Sequence, residues 1–181
     1  MALTDTPLPE EAAARDLLSS ACATLDRAEV VGQPALIAQA LAGVARAYGA
    51  LHAWSTAEAY LEMALRWAHA AQATDAAVDT LCELCDTGVR LAQQQDDLGL
   101  GSGRATRERV RDRAFDAGAL AARVADAEWE VKVLLRISDV LNRLGDHEDA
   151  AALQSRAMRL MSGSESTDVA LLPSIGRLAD T

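Results

Sequence analysis

Alanines recur in pairs seven residues apart, and the pairs themselves recur at fixed steps. They are Ala21/Ala28, Ala57/Ala64, Ala114/Ala121 and Ala150/Ala157, separated by steps of 36, 57 and 36 residues. Seven residues is close to two helical turns, so each pair marks a stripe of one helix where only a methyl group fits. A second pattern precedes three of the pairs: Leu41/Val44/Ala45/Tyr48, Val78/Leu81/Cys82/Cys85 and Leu134/Ile137/Ser138/Leu141. Each reads large, large, small, large on one helical face, so each describes a helix that packs closely at its small residue. From that small residue to the next paired alanine is 12 residues in the first and third copies and 32 in the second. The extra residues therefore fall inside the middle helical hairpin, near 86–105. Self-similarity at this period is the signature of stacked hairpins.

Composition agrees. The chain of 181 residues holds 39 Ala, four Pro and a single Phe, Phe115. Alanine is the best helix former, whereas aromatic and β-branched residues favour strands. The fold class is all-α. Helices are expected near 9–31, 34–51, 55–71, 75–96, 105–126, 128–144 and 147–162, about seven in all. Ser55-x-x-Glu58 reads as a capping box opening the third, and Asp146 with Asp149 as caps of the last. Lys and Arg number 17 against 27 Asp and Glu, a net charge of −10. That balance argues against nucleic acid, whose binding rests on cations meeting phosphates, and against anionic membranes. Arg outnumbers Lys 16 to one, the bias of a GC-rich bacterial genome. Residues 1–11 have acids and prolines where a signal peptide needs cations and an apolar run, so a cytoplasmic protein is expected.

The two patterns together resemble the tetratricopeptide repeat, whose helix pair reads large-x-x-large-small-x-x-aromatic and then Ala-x-x-x-aromatic. The best copy spans 38–71, with Ala45, Tyr48, Ala57 and Ala64 in place. The copy at 131–164 has Ser138, Ala150, Ala157 and the Leu144-Gly145-Asp146 turn. The copy at 75–128 carries the insertion and has Gly118 at a position usually large. The family's closing Pro is absent from all three copies. The resemblance implies a right-handed superhelical array of antiparallel helix pairs over 9–164. A half repeat at 9–33 would precede the three copies, with a flexible N-terminus over 1–8 and a tail or cap over 165–181. In that tail Leu171, Leu172, Ile175 and Leu178 could form a short amphipathic turn broken by Pro173.

Such an array implies a concave groove lined by the first helix of each pair, near Gln39, Arg46, Asp79, Glu83, Asp86, Lys132, Arg136, Asp139 and Arg143. The surface is of mixed charge and suits a polar peptide or helix. Some members of the family hold a partner's C-terminal carboxylate with Lys and Arg one turn apart, and Lys132 and Arg136 match that pair by position. Ala42, Arg46 and Thr80 stand where the rest of that clamp would be. The expected role is non-catalytic protein binding, as an adaptor, chaperone or assembly factor. A small-ligand or signalling-peptide sensor is the rival reading, a thiol-dependent enzyme a third. The partner would be another protein or peptide, with a homodimer a further option; no cofactor is expected.

Other chemistry-bearing residues have plainer readings. Cys82 and Cys85 form C-x-x-C, yet no strand precedes them and no second ligand pair completes a zinc site. They occupy packing positions of the repeat. Gly99, Gly101 and Gly103 precede Arg104 and a helix without either nucleotide fingerprint, so a flexible connector is expected. Arg104, Arg107, Arg109, Arg111 and Arg113 interleave with Glu108 and Asp112, which i,i+4 pairing on a wet helix face would explain; Arg104, Arg107 and Arg111 could otherwise meet an acidic partner. His52, His69 and His147 have no metal spacing. Trp54, Trp67 and Trp129 are expected in core or hairpin packing. No catalytic constellation is apparent.

Overall fold

The computed structural model describes residues 9–170, with side chains over 11–163. These residues form seven α-helices and no strand: α1 (Pro9–Val31), α2 (Pro34–Ala50), α3 (Trp54–Ala70), α4 (Thr74–Asp97), α5 (Gly103–Ala121), α6 (Ala127–Leu144) and α7 (His147–Ala170). The all-α class follows directly. Residues 1–8 and the apolar tail positions Leu171, Leu172, Ile175 and Leu178 lie outside the described residues.

Four of the turns share one device. The residue closing each helix adopts a left-handed backbone: His52 (φ 57), Gln72 (φ 54), Gly99 (φ 66) and Gly145 (φ 89). The next amide then reaches back five residues, from Ala53 to Tyr48, Ala73 to Ala68, Leu100 to Gln95 and Asp146 to Leu141, at 2.9–3.0 Å. This closure satisfies carbonyls that a helix end leaves open. Two of the four positions carry side chains where glycine would be unstrained.

Each helix packs against its neighbour in sequence, and α2 with α4 and α4 with α6 also pack directly. The alanine pairs sit where helices meet. Ala28, Ala57, Ala64, Ala114, Ala121, Ala150 and Ala157 are all buried, while Ala21 is partly exposed. The small residues Ala45, Cys82 and Ser138 are buried as well. One apolar cluster runs from Ala28 on α1 to Ala157 on α7. A second, made of Ala38, Ala68 and Ala77, joins α2, α3 and α4.

Several local expectations need correction. Ser55 does not cap α3: the helix begins at Trp54, Ala53 stands at the cap without a side-chain bond, and Glu58 turns instead to Arg113. The turn closed by His52 brings the chain into the helix two residues early. A true cap forms at Asp126, whose carboxylate accepts from the Trp129 amide at 2.9 Å. That cap divides α5 from α6, so α5 ends at Ala121 and not near 126. The insertion lengthens both helices of the middle hairpin to 24 and 19 residues, leaving a short turn where a flexible connector was expected. Finally, α7 continues past residue 162 to Ala170. Gly163 is the weakest helix former near that point, and one glycine costs a helix only about 1 kcal/mol.

Candidate functional site

The groove positions expected from the sequence fall on α2, α4 and α6, with α4 packed directly between the other two. Residues 79, 83 and 86, and 132, 136, 139 and 143, are spaced by three or four and so share a helical face. Ion pairs tie the three faces together. Arg46 on α2 donates to Glu83 on α4 at 2.8 Å. Arg136 on α6 donates to Asp86 on α4 at 2.9 Å through one guanidinium nitrogen and 3.2 Å through another. Arg143 reaches the other Asp86 oxygen at 3.2 Å, with Asp139 at 3.9 Å. Two guanidinium groups thus converge on one carboxylate. Arg136 is held above its ordinary pKa; burial is the largest influence and works against this, but Asp86 and the neighbouring acids outweigh it.

Two depressions open on this face. One of about 390 Å³ lies between α2 and α4 and is lined in part by Gln39, Arg46, Asp79, Thr80 and Glu83. Another of about 330 Å³ lies beside it over Arg46, Trp54, Glu83, Asp86 and Arg136. Lys132 stands apart: its ammonium bonds Glu128 on the same helix at 2.7 Å, while Arg136 faces Asp86. The Lys132/Arg136 pair is therefore split between two internal carboxylates.

The five arginines of α5 do not form one basic patch, and only Arg104 with Glu108 (3.1 Å) is an i,i+4 pair. Arg107 pairs with Asp96 on α4. Arg111 bonds Asp149 at 2.6 Å, with Asp146 at 3.9 Å, and its guanidinium lies over the Phe115 ring. Arg113 spans Glu58 and Glu62 on α3, each at 2.6 Å, with Arg109 also near Glu58 at 3.6 Å. These bridges join α3 to α5 and α5 to α7, helices without the direct packing that joins α2, α4 and α6. Glu58/Glu62 and Arg109/Arg113 each lie four residues apart and so present one charged face per helix, but spacing alone does not say that the two faces meet. Across α6 and α7, the buried Glu130 is met by Arg156 at 2.6 Å.

Two of the three cysteines, Cys82 and Cys85, are buried in the core. Burial pushes the Cys82 thiol up to about 11 and the Cys85 thiol up to about 12. The Cys85 sulfur donates to the Val110 carbonyl at 3.6 Å. Cys22 is exposed on α1. Among the described residues no group of His, Cys, Asp and Glu is placed to hold a metal ion. Trp54 is half-buried, with Arg90 over its ring and His52 edge-on to it. Trp129 packs on the core, whereas Trp67, expected inside, is 38% exposed. His147 hydrogen-bonds Asn142 at 3.1 Å.

No protein-family model matches this chain. A comparison with curated proteins likewise returns no match.

Proposed function

We propose that this chain is a non-catalytic protein-binding module of tetratricopeptide-like architecture. In this reading the helix pairs coil into a right-handed array, and α2, α4 and α6 line its concave side. The observation that carries the reading is the shared face of those three helices, bridged by Arg46–Glu83 and by Asp86 with Arg136 and Arg143. A polar surface spanning three helices is larger than any single helix offers, which is how stacked hairpins bind extended segments. Its mixed charge suits a polar peptide or helix of another protein, in an adaptor, chaperone or assembly role. Because its cations are already paired, a partner's carboxylates must compete with Asp86 and Glu83 for them.

Capture from host lysate with an Asp79→Arg/Lys132→Glu variant tests this. Asp79 is exposed, and Lys132 pairs only within its own helix, so the variant should fold as the parent does. A stoichiometric partner held by the parent and lost by a normally melting variant is the expected result. A partner held equally by both would reject the groove. No partner at any salt, followed by a thermal shift with a metabolite, would favour a small-ligand sensor.

A further inference from the structure

The hairpin of α4 and α5, 24 and 19 residues long, ends in an exposed tip. Arg90 of α4 lies over Trp54 in the first turn of α3, and Arg111 of α5 pairs with Asp146 and Asp149 around the start of α7. Those contacts mark where α3 and α7 begin beside this hairpin. From Arg90 to Asp97 the helix continues for about 10 Å more at 1.5 Å per residue. The projecting part is internally braced: Thr106 donates to Gln95 at 2.7 Å, Arg107 pairs with Asp96, and Gly103 allows α5 to approach Ala92 and Asp96. At its tip Leu98 and Leu100 are 65% and 63% exposed, beside Asp97, for which no ion pair forms among the described residues. A braced projection that holds two leucines in water is built to be covered.

A surface of opposite shape and charge lies between α1 and α2. This cleft of about 490 Å³ has small residues, Ala28, Ala40 and Gly43, on its wall and the apolar Val31 and Leu36 at one end. Val31 and Leu36 are themselves exposed. Arg27 lines it, bonded only to the Ala23 carbonyl of its own helix and to no carboxylate among the described residues. Gly43 is the telling residue. It interrupts α2, where glycine is a poor helix former, yet a Cβ there would meet nothing closer than the Arg46 guanidinium at 4.0 Å. Nothing among the described residues fills the space beside Gly43, which leaves room for the close approach of another surface.

We propose that the α4–α5 tip of one molecule docks in the α1–α2 cleft of a second copy, with Leu98 and Leu100 against Gly43 and Asp97 facing Arg27. Tip and cleft are different surfaces, so two copies either exchange tips in a closed pair or add head to tail. The cleft also takes Gln39 and Arg46 from the edge of the α2–α4–α6 face, so a tip seated there would border that groove.

Sedimentation equilibrium of the full chain at physiological ionic strength tests it. The parent should gain mass with concentration. A tip variant, Leu98→Ser/Leu100→Ser, and a cleft variant, Arg27→Glu/Gly43→Leu, should each associate at least tenfold more weakly. Mixed, they should associate better than either alone, because the tip of one meets the intact cleft of the other. Gly43→Ala should raise the melting temperature while weakening association, a split that a purely internal role for Gly43 would not give. A parent that stays monomeric, variants that associate like the parent, or a mixture no stronger than its components would each overturn the proposal.

Discussion

At the scale of single residues, the described residues contain two places where local strain is accepted for a turn. His52 and Gln72 hold left-handed backbones without being glycine, a conformation that costs an L-residue roughly 1–2 kcal/mol. Part of that is returned on substitution to glycine through a freer unfolded chain. Gln72→Gly should therefore stabilise the protein by about 1 kcal/mol, read from chemical denaturation; a loss of stability would mean that the Gln72 side chain is needed. His52 is the less clean test because its ring also meets Trp54. The buried thiols make a second prediction. Both Cys82 and Cys85 are raised from an ordinary 9.0, to about 11 and about 12, chiefly by burial. Thiol reagents at neutral pH should modify Cys22 and leave this pair untouched until the protein unfolds. For linkage the sign is definite: the unfolded thiols ionise first, so their stabilisation is complete below pH 9 and is lost as pH rises towards 11–12. From pH 8 to 10 each should cost about 1 kcal/mol of stability, and a Cys82→Ala/Cys85→Ala variant should lack that slope.

At the scale of helices, two kinds of contact hold neighbours together. Close approach is one: a Cβ on Gly88 of α4 would collide with a Val110 methyl of α5. Gly88→Ala should cost about 1–3 kcal/mol through overpacking, and Val110→Ala in the same chain should recover part of it. Arginine bridging is the other. Arg113 and Glu58 are only 14% and 12% exposed at their side chains. Arg113→Met leaves the partly buried Glu58 with only Arg109, at 3.6 Å, and Glu62 in contact with water, a loss of about 2 kcal/mol, the usual worth of a hydrogen bond to a charged group. Adding Glu58→Gln and Glu62→Gln should restore most of it, and failure to do so would show that Arg113 acts by packing alone. Helix positions were legible because the alanine pairs and the large-large-small-large faces are short-range periodic signals. The bridges were not, since they depend on which helix ends at which height. The α5 arginines looked like a local i,i+4 set because sequence spacing shows only partners on the same helix. Glu58 looked like half a capping box because its true partner lies 55 residues away.

At the scale of the whole molecule, three helices present one polar face, while the lengthened hairpin and the α1–α2 cleft present two further surfaces of opposite shape. Helix periodicity in the sequence was enough to put the nine expected groove positions on α2, α4 and α6. Their internal pairing was not, since nothing in the spacing says that Asp86 takes both Arg136 and Arg143 while Lys132 turns to Glu128. The most direct test of the account is where a bound partner touches the chain. A photo-crosslinking residue at Asp79, on the α2–α4–α6 face, would be compared with one at Arg66, exposed on α3. The account predicts a defined crosslinked band from position 79 and none from position 66. Crosslinking from 66 alone, or equally from both, would contradict it.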